Sequence, residues 1–68
     1  MSIIERIHEN DNYYITLKII NNIYVVQVCP IVDKNNNLCG YPEKEMTYSI
    51  NEKNKAINTF NRYVKKYT

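Results

Sequence analysis

Few side chains in this chain of 68 residues are of the kinds that do chemistry. There is one histidine, His8, and the only thiols are Cys29 and Cys39. Nucleophilic catalysis needs a nucleophile, a base and an orienting third group around a pocket. A cleft of roughly 300 Å³ or more is hard to enclose in so short a chain. His8 therefore reads as an exposed polar residue. Glu43 and Glu45 can be drawn as an acid/base pair, but among lysines in a loop they read as solvated charges. The cysteines are separated by nine residues, unlike the C-x-x-C spacing of zinc sites. A Cys29–Cys39 bridge is geometrically conceivable, though reduced thiols are the expectation in a reducing compartment. Gly40 alone makes no phosphate-cradling loop. The expectation is a protein with no catalytic residue, metal, cofactor or small-molecule ligand.

One charged constellation has a usable spacing. Lys55, Thr59, Arg62 and Lys66 recur every three or four residues, with Lys65 beside them. On a helix they form a stripe roughly opposite the apolar arc. Lys55, Arg62, Lys65 and Lys66 are thus candidate contacts for nucleic acid or another anionic partner. The alternative is a solvated face whose lysines also suit the negative end of the helix dipole. Residues 51–68 carry a net +4, against +2 for the whole chain, so the positive charge is concentrated there.

These residues must be positioned by a small number of elements. The strongest local signal is Tyr13–Ile20, then Asn21-Asn22, then Ile23–Cys29. Both flanks are β-branched and aromatic, and asparagine tolerates the positive φ of a two-residue type I′ turn. Such a turn sets Ile20 against Ile23, Ile19 against Tyr24, Leu17 against Val26, Ile15 against Val28 and Tyr13 against Pro30. The hairpin is read as spanning Tyr13–Val32. Ile3, Ile4 and Ile7 fit either a short helix or a strand, and the turn-rich Asn10-Asp11-Asn12 favours the strand. With a three-residue turn, Ile3 would oppose Ile19 and Ile7 would oppose Ile15. Residues 33–45 read as a long loop, and Met46, Tyr48 and Ile50 as a short strand. Ser49-Ile50-Asn51-Glu52 has the form of a capping box, with Asn51 a competing start. Ala56, Ile57, Phe60, Tyr63, Val64 and Tyr67 then make one helical stripe. That stripe needs an apolar partner, and the Ile15/Leu17/Val26/Val28 face is the surface of matching size.

The fold expected is a single α+β domain over residues 1–68, with element order (β)βββα. A three- to four-stranded antiparallel sheet is backed on one face by one C-terminal amphipathic helix. The hairpin register then sends Tyr14, Thr16, Lys18, Ile20, Ile23, Val25, Gln27 and Cys29 to the other face. Five of these eight are apolar or aromatic, where a solvated antiparallel face should be mostly polar. Cover by the N-terminal segment, or by Leu38 and Tyr41 of the loop, is one reading. The other is a docking surface made of Tyr14, Ile20, Ile23, Val25 and Tyr41, since contiguous exposed apolar patches tend to mark contacts.

Composition bounds the class of function. No apolar run approaches the roughly 18 residues of a membrane span, and Met1–Arg6 lacks the apolar core of a secretion signal. A cytoplasmic protein is expected. With 11 Asn, 10 Ile and 7 Lys against one Gly and one Ala, the composition favours residues with AT-rich codons, and an AT-rich source genome is expected. Such a domain suits a phage or mobile-element accessory protein, for instance an anti-CRISPR-like inhibitor of a host-defence complex. The leading expectation is a non-catalytic protein-binding domain, acting on a protein partner or on itself as a homodimer. The alternatives are a single-stranded nucleic-acid-binding homodimer and a structural subunit of a larger assembly. Strands followed by one helix resemble, in element order and without a shared motif, small single-strand-binding coactivator domains that act as dimers.

Overall fold

The computed structural model describes residues 2–33, 35 and 38–67. Strands β2 (Tyr13–Ile20) and β3 (Ile23–Asp33) form the central hairpin. Their register is the one the turn chemistry demands, from Ile20↔Ile23 through Leu17↔Val26 to Tyr13↔Pro30. Asn21 and Asn22 have φ of 51° and 64°, the left-handed values that a type I′ turn requires at both central positions. Because the side-chain period is two, this turn decides which face every residue of β2 and β3 occupies.

The N-terminal segment is strand β1 (Ser2–Glu9), antiparallel to β2. Ile3 opposes Ile19 as expected, but Ile7 opposes Thr16 and His8 opposes Ile15. Two departures from the simple hairpin cause this. The turn is one residue tighter: Asn10 N–H donates to Tyr13 O, while Asn10 Oδ1 accepts from the N–H groups of Asn12 and Tyr13. The pairing then slips between Ile4 and Arg6, where Glu5 forms a β-bulge. A one-residue slip exchanges faces, so Ile4 and Ile7 share a face although they are an odd number of residues apart.

The expected loop at 33–45 is largely the returning arm of a second hairpin. Short strand β4 (Leu38–Cys39) pairs with Ile31 and Asp33, and β5 (Lys44–Ser49) pairs with Ile23–Val28. Residues 40–43 bulge out between them, anchored by Gly40 N–H to Pro30 O and Glu43 N–H to Val28 O. A Cβ at Gly40 would sit 3.1 Å from Cγ1 of the exposed Val32, a tight contact that a small shift of that side chain would have to relieve. The sheet order is β1-β2-β3, with β4 and β5 in tandem along the far side of β3.

Ser49 and Glu52 open the C-terminal element as a reciprocal pair. Ser49 N–H and Oγ–H both donate to Glu52 Oε1, at 3.3 and 3.2 Å. Ile50–Glu52 form a 3-10 turn, so Ile50 leaves the strand it was expected to finish, and α1 runs over Lys53–Lys66. Helix α1 packs on β2, β3 and β5. Ala56 and Phe60 meet Ile15, Leu17, Tyr24, Val26 and Val28, with Tyr13, Ile19, Tyr48, Ile57, Tyr63, Val64 and Tyr67 around them. Among the described residues no helix is long and apolar enough to cross a membrane.

The turn at Asn21-Asn22 carries a testable consequence. Asn22→Ala places a Cβ residue without asparagine's tolerance at φ 64° and is expected to cost about 1 kcal/mol. Asn22→Gly should hold or raise stability. Urea unfolding checks this: the alanine midpoint falls and the glycine midpoint does not, with the slope unchanged in both.

Candidate functional site

Two surfaces could act on something else. The first is the sheet face opposite α1. By register its rows run Ser2–Ile20–Ile23–Ser49, then Ile4–Lys18–Val25–Thr47, then Ile7–Thr16–Gln27–Glu45, then Glu9–Tyr14–Cys29. No second layer of described residues lies over it, since the helix packs on the other face. Ile4, Ile7 and Ile23 are 52%, 51% and 44% exposed. Tyr14, Ile20, Lys18 and Cys29 are half-buried.

The face is partly self-covered. Val25 and Thr16 are buried, at 8% and 4% exposure. Each is flanked in register on both sides, Val25 by Lys18 and Thr47, Thr16 by Ile7 and Gln27. Val25, expected as an outward anchor, is therefore the floor of the patch. Gln27 Nε2 donates to Glu45 Oε2 at 2.6 Å across β3 and β5. Ile7 was not legible as a member of this face, because it was expected opposite Ile15 and the β1–β2 turn is one residue tighter than that pairing needs. Tyr41, from the 40–43 bulge, is 94% exposed and so covers nothing. The side chains of Leu38 and Cys39 lie outside the described residues. Cys29 carries a half-buried thiol, and the residue opposite Cys39 is Ile31.

The second surface is a groove between β5 and α1, about 390 Å³ in volume, lined by Tyr48, Lys55, Asn58, Thr59 and Arg62. Thr59 was expected on an outward stripe, yet it is buried at 3% exposure. Its Oγ1 shares a 2.6 Å hydrogen bond with Tyr48 Oη and accepts from Arg62 at 3.4 Å. The stripe therefore lies along the flank of the helix that meets β5, and not opposite the apolar arc. Lys55 and Arg62 are brought together in the groove, whereas Lys65 and Lys66 do not line it. Lys66 Nζ lies 5.6 Å from the centroid of the Tyr67 ring. Lys55 pairs with Glu52 at 3.0 Å. That hydrogen bond, and then the one from the Ser49 N–H, hold the Glu52 carboxyl below its ordinary pKa.

His8 is not the exposed residue expected of it. The shortened turn and the Glu5 slip set it opposite Ile15 on the helix face, half-buried, with Nε2 buried and lacking a hydrogen-bond partner. Among the described residues no group of three or more His, Cys, Asp or Glu is placed to hold a metal ion. Comparison with family models, with curated proteins and with solved structures returns no match.

Two substitutions test this geometry. Tyr48→Phe leaves the buried Thr59 hydroxyl with only the long Arg62 contact, and is expected to cost about 1–2 kcal/mol. Thr59→Val in the Tyr48→Phe background should cost less than Thr59→Val alone, a non-additivity read from a double-mutant cycle. His8→Leu removes a buried polar atom that has no partner, so thermal or urea unfolding should show stability unchanged or raised by about 1 kcal/mol.

Proposed function

We propose that this chain is a non-catalytic binding domain whose uncovered sheet face docks a second copy of itself. The observation that carries the reading is the Ile4, Ile7 and Ile23 set, exposed by about half each and continuous with Tyr14, Ile20 and Val25 across β1, β2 and β3. A contiguous apolar patch on a face where alternation should be polar marks a contact surface.

Three features favour a second copy as the occupant. The molecule is a slab with Cα extents of 37 × 26 × 16 Å, and its broad face offers the roughly 800 Å² per partner that a stable interface needs. The face carries Lys18 together with Glu9 and Glu45, so a two-fold contact can set each cation against a carboxylate of the other copy. A chain of this size also has a thin margin of stability, which self-association raises. Docking by the face is favoured over pairing by the β1 edge, because the bulge at Glu5 and the adjacent Glu5 and Arg6 charges are features that block edge-to-edge pairing. The host-defence reading rests on composition alone and adds nothing to this choice.

Light scattering across a dilution series tests the proposal. The expected mass at high concentration is twice that of the chain, falling toward monomer on dilution. Ile7→Lys and Ile23→Lys should each weaken association tenfold or more. Both positions are exposed in the single chain, so circular dichroism should be unchanged. A monomeric mass at every concentration, or a dimer indifferent to both substitutions, overturns the reading and leaves the face to a different protein partner or a larger assembly.

A further inference from the structure

The groove between β5 and α1 lies on the opposite side of the sheet from the self-docking face and is independent of it. We propose that it is a binding site for the phosphate backbone of single-stranded nucleic acid. All five lining residues, Tyr48, Lys55, Asn58, Thr59 and Arg62, carry hydrogen-bonding groups, and two are cations. Lys55 and Arg62 are seven positions apart on α1, which separates them by about 10 Å along the helix axis. That spacing does not converge on one small anion. It suits successive charges on a chain lying along the groove, with the Asn58 amide available between them.

The cations are also available. Arg62 is exposed and meets no carboxylate among the described residues, its one side-chain hydrogen bond there being the 3.4 Å contact to Thr59. The Lys55–Glu52 pair is exposed, 70% on the lysine side, and an exposed pair of this kind is weak enough to be exchanged for a phosphate. Because Thr59 is buried against Tyr48, both cations stand, exposed, on the flank of the helix beside β5. Two cations along one open flank, with an aromatic ring beside them, match the track of a single strand. Tyr48, half-buried against the core, also lines the groove and supplies an aromatic edge there for a base. The surrounding segment, residues 51–68, supplies a net +4 to attract the strand.

The test is fluorescence anisotropy with a labelled oligothymidylate of about 12 nucleotides, titrated between about 50 and about 200 mM salt. Binding is expected at the low end, with log K falling against log salt at a slope of about −1.4 for two phosphate contacts, and about −0.7 after Lys55→Gln or Arg62→Gln. Lys53→Gln, which removes the same charge outside the groove, should leave the slope unchanged. No binding at about 50 mM salt overturns the proposal, because phosphate contacts are strongest there. So does an equal loss with Lys53→Gln, which would indicate diffuse charge. Poly-glutamate competing as well as the oligonucleotide overturns it in favour of an acidic peptide, and a tighter complex with duplex overturns the single-strand assignment.

Discussion

Ala56 and Phe60 of α1 rest on a square of four side chains, Ile15, Leu17, Val26 and Val28, each within 1% of full burial. This contact is the centre of the hydrophobic core, and the rest of the molecule is arranged to keep it in register. The square exists because Leu17 opposes Val26 and Ile15 opposes Val28. That pairing is enforced by the two left-handed asparagines at the hairpin tip. A slip of one residue would turn the square outward and leave α1 without a partner surface. For a domain with a total stability of roughly 3–10 kcal/mol, losing a single core ring such as Phe60, at about 3–5 kcal/mol, removes much of that margin.

The helix is held on the square at three points along its length. Glu52 ties its start to Ser49, Thr59 ties its middle to Tyr48, and Asn10 Nδ2 donates to Tyr67 O at 2.9 Å just past its end. Tyr13 and Tyr67 meet edge to face near that last point, with ring centroids 4.8 Å apart. These ties join α1 to β5 and to the β1–β2 turn, the outermost parts of the sheet. They also explain why both candidate surfaces exist. Pinning the helix to one face leaves the other without a second layer, and pinning its flank to β5 through Thr59 forms the groove.

Much of this was legible in the residues, and what was not failed for identifiable reasons. Composition and alternation marked the central hairpin, and the Ser49/Glu52 pair marked the start of the helical segment to within a turn. The 33–45 segment read as a loop because β4 is only two residues long and a bulge separates it from β5, whose alternating residues begin only at Met46. Ile7 and His8 were each assigned the wrong environment for one reason. The β1–β2 turn is one residue tighter than its Asn-Asp-Asn sequence suggested, which moves everything from Arg6 to Glu9 to the opposite face, and the bulge at Glu5, a backbone event with no side-chain signature, then restores the expected pairing at Ile3. Thr59 was assigned to the outward stripe by its helical spacing from Lys55, Arg62 and Lys66, but spacing does not reveal that Tyr48 waits across the gap with a hydroxyl.

By itself, then, the sequence determined the local rules: an Asn-Asn turn, the alternation it phases, an amphipathic helix and the concentration of positive charge on that helix. Those follow from side-chain chemistry and from periods of two and 3.6 residues. Only the tertiary structure decided which isoleucines share the uncovered face and which cations face the groove. Both depend on where one strand slips against its neighbour and on which side of a helix meets a strand edge. Such outcomes arise from many weak contacts formed at once between segments distant in the chain, and no short stretch of residues contains them.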